Sequence, residues 1–221
     1  MSLLPEAVLL HWPAVVILAV VSLVLLVARD RRLATLALLG QYLWLSTQMS
    51  YDLYHLVAGV RLGLGVALCL ILYITAEHVE AALRRVPAAD EPNTAFRLAA
   101  LALATLLAWG VWQRYPLALV PDRLGMTSYW LVFDGILLML MSTEPLSMGL
   151  GLMTMLNGFE GVYLYEEQGL VIAGLVGIVD ICIALGITLF AEVAAGAVVR
   201  RADAELSGET PDRSGGEALP R

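Results

Sequence analysis

The chain has few charged residues, and one kind is missing altogether. Only 15% of its 221 residues are charged, and all 13 basic residues are Arg, so the chain contains no Lys. With a net charge of −7, it has no basic surface of the kind that binds nucleic acid. Cys69 and Cys182 lie in separate apolar segments without the spacing of a metal site, so we expect packed thiols.

Catalytic patterns are also missing. The sequence contains no Ser, His and Asp set in a recognisable order, no Gly-rich phosphate loop and no metal-ligand motif. A role as a catalyst is therefore not indicated, and we predict no metal and no cofactor.

Apolar residues are abundant. They make up 60% of the chain, and the mean hydropathy is +0.80. Apolar runs recur throughout, each near the ~20 residues that a bilayer-spanning helix needs. The pattern predicts an all-α, polytopic membrane protein with about seven transmembrane helices, at residues 8–28, 33–57, 60–83, 97–115, 126–143, 146–165 and 169–195.

The Arg residues predict the orientation of these helices. If seven helices alternate in direction, most of the flanking Arg side chains fall on one side of the membrane, and the positive-inside rule makes that side cytoplasmic. We therefore expect the N-terminus outside and the C-terminus in the cytoplasm, with residues 196–221, rich in Gly, Ser and acids, as a disordered tail. The cytoplasmic group is Arg29, Arg31, Arg32, Arg84, Arg85, Arg97, Arg200 and Arg201, against Arg61, Arg114 and Arg123 outside.

Three carboxyl groups lie inside predicted spans. Asp134, Glu160 and Asp180 belong to the fifth, sixth and seventh helices. A charged group at the bilayer centre costs about 2.5–3.5 kcal/mol on insertion scales, so such groups face protein or water and are functional candidates by default. We predict that they belong to a proton path.

Other polar residues have simpler explanations. Asp52 and His55, three residues apart at the end of the second predicted helix, would share a face and could pair near the outer interface. Glu77 and His78 lie near the cytoplasmic end of the third helix and should be partly solvated. Together with Arg61 at the start of that helix, they are possible secondary sites.

Small residues accompany some of these groups. Gly59 and Gly63 flank Arg61, and Gly158 and Gly161 flank Glu160. Glycines in membrane helices let neighbouring backbones approach closely. The sequence therefore predicts close helix packing at both places.

Two short segments resemble a known family. Gly151-Leu152-x-x-Met155-x-Asn157, followed by Asp180-x-x-Ile183-x-Leu185, is similar to the second and third helices of the K-type subunit of complex I and of the related C subunit of Mrp-type antiporters. In length, span number and segment order, the chain is more similar to the E component of hydrogenase-4 and formate-hydrogenlyase complexes. The resemblance covers residues 126–195; residues 1–125, a four-helix region, match only in hydropathy and in Arg61.

The chain departs from that family at two places. Met153 stands where the family carries a membrane Glu, and Glu160 follows seven residues later, about two turns along nearly the same face. Glu160 is therefore a candidate for a displaced carboxylate. The basic residues of the family's preceding loop are replaced by Ser142 and Thr143, with Glu144 following.

The resemblance implies a non-catalytic, multi-pass subunit in the cytoplasmic (inner) membrane of a bacterium or archaeon, which contributes carboxylates to a proton or cation path beside antiporter-like subunits. Two alternatives remain: a haem- or quinone-binding membrane anchor, and a stand-alone small-solute transporter. His55 and His78 lie near opposite membrane faces, which disfavours a shared haem. No internal repeat indicates a transporter.

Overall fold

The computed structural model describes residues 17, 19–26, 30–52, 55–83, 94–167 and 169–206. Within these residues, all regular secondary structure is α-helical, as predicted. Helix α1 is described over residues 19–26. The other helices are α2 (Arg31–Asp52), α3 (His55–Leu83), α4 (Thr94–Arg114), α5 (Asp122–Met141), α6 (Pro145–Glu166) and α7 (Leu170–Leu206).

Four helices are long and apolar enough to cross a membrane: α3, α4, α5 and the Leu170–Ala204 part of α7. Helices α2 and α6, each of 22 residues, are also long enough but are more polar. Membrane-spanning character is thus apparent for four helices of the described part of the chain. Seven spans and the orientation of the termini stay predictions.

The boundary between α2 and α3 differs from the prediction. Helix α2 ends at Asp52 instead of residue 57, and His55 is the first residue of α3. The expected i, i+3 pair of Asp52 and His55 on one helix is therefore wrong. A short acidic side chain competes for backbone hydrogen bonds and favours a helix end, a signal that the apolar pattern around it obscured. The side chain of Asp52 lies outside the described residues.

Helix α7 continues well past residue 195, where we predicted its end. Residues 196–206, assigned to a disordered tail, are helical. The stretch 197–206 consists mainly of good helix formers and contains neither Gly nor Pro, so local propensity sustains the helix beyond the apolar run. The rest of the predicted tail lies outside the described residues.

Helices α5 and α6 form a closely packed antiparallel pair. A Cβ atom added at Gly151 would lie 2.9 Å from the backbone oxygen of Gly135, and one at Gly158 would lie 2.7 Å from the backbone oxygen of Ser128. The two backbones thus touch at two levels, which confirms the close approach predicted around Glu160. Around Gly59 and Gly63 of α3 there is open space instead, so the same prediction was wrong there.

Helices α2, α3, α6 and α7 pack around a shared interior, and α4 lies against α5. The α2 side chains Leu38, Tyr42 and Leu45 are almost fully buried. Helix α4, by contrast, exposes large apolar residues such as Leu103 and Leu106. The polar helices α2 and α6 therefore turn their polar residues inward, while more apolar helices present surfaces suited to lipid or to a partner.

Candidate functional site

Arg61 is held inside the bundle by residues of α6. Its Nη1 donates a hydrogen bond to Oε2 of Glu160 at 3.0 Å, and both side chains are buried. Its Nη2 donates to the backbone oxygen of Asn157 at 2.9 Å and to Oδ1 of Asn157 at 2.7 Å. Three charge-assisted bonds fix the guanidinium on α6 although Arg61 belongs to α3.

Tyr42 of α2 lies beside the same guanidinium. The Cζ atom of Arg61 is 5.9 Å from the centroid of the Tyr42 ring, within the range of a cation–π contact. The Tyr42 ring also fills the space in front of Gly65 on α3, where an added Cβ would come within 2.7 Å of the ring. Gly65 therefore allows the aromatic ring to pack beside Arg61.

Asp180 of α7 completes the cluster. Only 4% of this residue is exposed, and its carboxyl group neighbours the carboxyl group of Glu160 at the same small cavity. A small cavity opens between these groups. Its polar lining consists of Tyr42, Arg61, Glu160 and Asp180, and its apolar wall of Leu64, Leu164, Ala173 and Val176 with Gly177.

The charges of this cluster determine what it can do. Arg61 supplies one positive charge, whereas Glu160 and Asp180 together supply two negative charges when both are ionised. Two neighbouring carboxylates repel each other when both are ionised and buried, so the pair favours binding one proton, which one carboxyl group can donate to the other. With that proton the buried cluster is neutral, and without it the cluster carries one uncompensated negative charge. The arrangement can therefore hold one proton at a defined place.

Asp134 lies apart from this cluster. It is buried in α5, beside Ser22 of α1, but the Ser22 hydroxyl makes no well-formed hydrogen bond. Among the described residues, Oδ2 of Asp134 has no hydrogen-bond partner, and no Arg forms an ion pair with this carboxyl group. The three carboxyl groups that the sequence placed on one path thus occupy two sites.

Of the secondary candidates, Arg61 belongs to the buried cluster, and the others lie towards the ends of helices. His55 is exposed, and its Nδ1 is 3.2 Å from the Ser50 hydroxyl. Glu77 is half-exposed and 3.5 Å from Arg32, and His78 is exposed. These residues do not join the buried cluster. His55 belongs to α3, as His78 does, so the prediction that His55 lies at the end of the second helix was wrong.

Two residues of the cluster were not predicted as site residues. In the sequence analysis Asn157 was named only as part of a motif, yet Asn157 orients Arg61 by accepting two hydrogen bonds from it. Tyr42 was not singled out in the sequence analysis. The i, i+3 spacing of Asn157 and Glu160 was a usable signal, because residues three apart share a helix face. Nothing local distinguishes Tyr42 from an ordinary core aromatic residue.

Comparison with known proteins gives no family. No protein-family model, curated protein or solved structure matches the chain. The resemblance to K-type subunits consequently depends on the two short motifs alone. Of their residues, Asn157 and Asp180 both belong to the cluster around Arg61, whereas Met153 is buried in the apolar core. Within the described ranges, no three metal-ligating side chains come together.

Proposed function

We propose that the chain is a non-catalytic membrane subunit of a complex I-like or hydrogenase-4-like ion-translocating complex, in which Asp180 and Glu160 share a transferable proton. One observation carries this proposal: two buried carboxyl groups contact each other beside a single buried Arg. A purely structural ion pair needs only one carboxylate for each Arg. The second carboxyl group is costly in a membrane, which favours a functional reason for its presence.

Arg61 makes loss of the proton tolerable. When the proton leaves the pair, a second negative charge appears in a medium that solvates it poorly. The guanidinium is then the nearest compensating charge, and Asn157 prevents it from swinging away. We therefore assign Arg61 as the positioning and compensating residue, and Asp180 with Glu160 as the proton-carrying pair.

The membrane arrangement is part of the proposal. We infer seven spans, an outer N-terminus and a cytoplasmic C-terminus, in the inner membrane of a bacterium or archaeon. Hydropathy alone does not select α2 and α6 as spans, but polar residues such as Gln41, Asn157 and Glu160 are buried between helices and need not meet lipid. Helices of this kind span a membrane when neighbouring helices cover their polar faces.

Antiporter-like subunits are the proposed partners. The exposed apolar residues of α4 and α7, including Leu106 and Phe190, offer surfaces that lipid or another membrane subunit can cover. The cavity beside Asp180 and Glu160 is small. Exchange of their shared proton with carboxyl or Lys groups of a neighbouring subunit would link it to a longer path.

The geometry does not favour the haem alternative. His55 and His78 are 23 residues apart on α3, which corresponds to about 35 Å along a straight helix. A single haem iron cannot bind both. No observation favours the small-solute transporter.

The variant Asp180→Asn tests the proton site. Asparagine preserves size and hydrogen bonding but cannot carry the proton, so we expect normal assembly of the parent complex and a large loss of proton translocation, measured in inverted membrane vesicles. Glu160→Gln should act similarly, with an added loss of stability because Arg61 loses its counter-charge.

Glu166→Gln is the matched control, because Glu166 is an exposed carboxyl residue at the end of α6. It should leave translocation unchanged. Normal proton translocation by a fully assembled Asp180→Asn complex would show that the carboxyl pair is structural and would defeat the proposal.

A further inference from the structure

A second set of buried polar groups lies outside the proton site and is not used by it. It consists of Ser22 on α1, Gln41 on α2 and Asp134 on α5, and all three residues are at most 4% exposed. The hydroxyl oxygen of Ser22, both side-chain amide atoms of Gln41 and Oδ2 of Asp134 have no hydrogen-bond partner within the described part of the chain. Leaving a buried polar atom unpaired is unfavourable, so the three oxygen atoms among these four indicate that something else occupies their bonding positions.

The helix register places Gln41 and Asp134 at the same depth. Two contacts tie α2 to the α5 region: Arg31 pairs with Glu144 at one end, and Gln48 donates to Thr127 at the other. Gln41 lies seven residues before Gln48, and Asp134 lies seven residues after Thr127. Since the helices run in opposite directions and rise equally per residue, these two side chains are level.

Helix α1 brings Ser22 to the same place. A Cβ atom added at Gly40 would lie 3.6 Å from the Val21 side chain, so α1 contacts α2 beside Gln41. Ser22 follows Val21 and neighbours the carboxyl group of Asp134. Three buried polar side chains from three helices therefore lie at the same level of the bundle interior.

The chemistry of these side chains favours a small cation. A carboxylate, an amide and a hydroxyl each present oxygen, the ligand atom that hard monovalent and divalent cations prefer. Asp134 has no Arg partner in the described residues, and the charge of Arg61 is already matched by Glu160. One bound positive charge would neutralise an ionised Asp134, and a divalent ion would leave an excess of positive charge.

We propose that Ser22, Gln41 and Asp134 form a cation site separate from the proton-sharing pair, which binds one small monovalent cation, either a sodium ion or a hydronium ion. Sodium ions and hydronium share the required chemistry, three short contacts to oxygen atoms. This inference concerns binding to the chain itself, and it stands whether or not Asp180 and Glu160 carry protons in a larger complex.

The test measures thermal stability of the full-length chain in its native membranes. A fluorescent tag at the C-terminus reports the fraction that stays monodisperse after heating and detergent extraction. In the first arm, sodium chloride replaces choline chloride at constant ionic strength and alkaline pH. In the second arm, the pH is lowered in choline chloride. A ligand at a hundred times its Kd should raise the midpoint temperature by about 5–10 °C in a protein of this size.

We expect the wild type to be stabilised in one arm, which identifies the cation. Asp134→Asn should abolish a sodium response, or should remove the part of a pH response that does not come from Asp180 and Glu160, and Gln41→Leu should weaken it. Gln48→Leu is the matched control, because it removes a buried Gln from the same face of α2 two turns away and should respond like the wild type. Ser22→Ala removes one oxygen with little change of shape, and it serves as the second variant if Gln41→Leu does not accumulate.

Other ionisable groups remain the same in all these variants. Arg97 of α4 donates to the backbone oxygen of Leu26, one turn after Ser22, while Arg61, Glu160 and Asp180 belong to the proton site. Differences between variant and wild type therefore isolate the proposed site. The proposal is overturned if Asp134→Asn responds like the wild type in both arms, or if both Gln41→Leu and Ser22→Ala keep the full response.

Discussion

Replacing Arg61 by Met should be among the most destabilising changes in the interior of this protein. The substitution keeps a long apolar stem but removes the charge and three hydrogen bonds to Glu160 and Asn157. Removing one partner of a buried ion pair typically costs about 3–5 kcal/mol, because the remaining charge has lost its compensation. With Asp180 in contact with Glu160, the cost should lie at the upper end of that range.

A double-mutant cycle separates the ion pair from simple loss of packing. Glu160→Gln removes the uncompensated charge, so the double variant Arg61→Met/Glu160→Gln should recover about 1–3 kcal/mol relative to the sum of the single variants. The measurement is the free energy of unfolding of the purified chain in lipid nanodiscs, by denaturant titration monitored through tryptophan fluorescence. Retained helicity of each variant, measured by circular dichroism, confirms that the compared states are folded.

Arg31→Met is the control for this cycle. Arg31 also forms a bidentate pair, with Glu144 at 2.6–3.0 Å, but 46% of the Glu144 side chain is exposed. Pairs of that kind contribute about 0–1 kcal/mol, so this variant should cost little. If Arg61→Met is no more costly than Arg31→Met, or if the two Arg61 and Glu160 changes are additive, the reasoning about the buried charge is wrong.

Two further predictions concern packing and topology. Gly158→Ala should destabilise the chain by about 1–3 kcal/mol, because the added Cβ would lie 2.7 Å from the backbone oxygen of Ser128. Gly174→Ala is the control, since its added Cβ meets open space and the variant should be neutral or slightly stabilised. Equal free energies of unfolding for the two variants in denaturant titration would contradict the packing of α5 on α6. A reporter fused after Arg201 should be active in the cytoplasm and one fused before Val8 outside it. Both termini on the same side would refute the seven-span topology.

The proton pair and the cation site make separable demands on one protein. Asp180→Asn is expected to affect translocation by a parent complex, whereas Asp134→Asn is expected to affect stability in a cation-dependent way. If one of these variants fails to show its expected effect, only the proposal for that site is refuted, and the proposal for the other site is unaffected.

Much of the fold could be predicted from the sequence because the signals are local. A run of apolar residues specifies a helix of about the right length and place, since a helix satisfies its own backbone hydrogen bonds without a partner segment. Most predicted helices lie within a few residues of the observed ones. Two predicted boundaries were wrong, because residues 55–57 belong to α3 instead of the second predicted helix and residues 196–206 continue α7.

The candidate site depended on tertiary structure for a different reason. The sequence identified Asp134, Glu160 and Asp180 as anomalous, because each carboxyl group interrupts an apolar helix. Which of them belong together is decided by the packing of α3, α6 and α7, since a side chain meets partners across helices that are distant along the chain. Arg61 pairs with Glu160 across 99 positions, and Asp180 joins that pair while Asp134 faces Ser22 instead. Hydropathy sets the depth of each group, but only the packing register of neighbouring helices sets which groups touch.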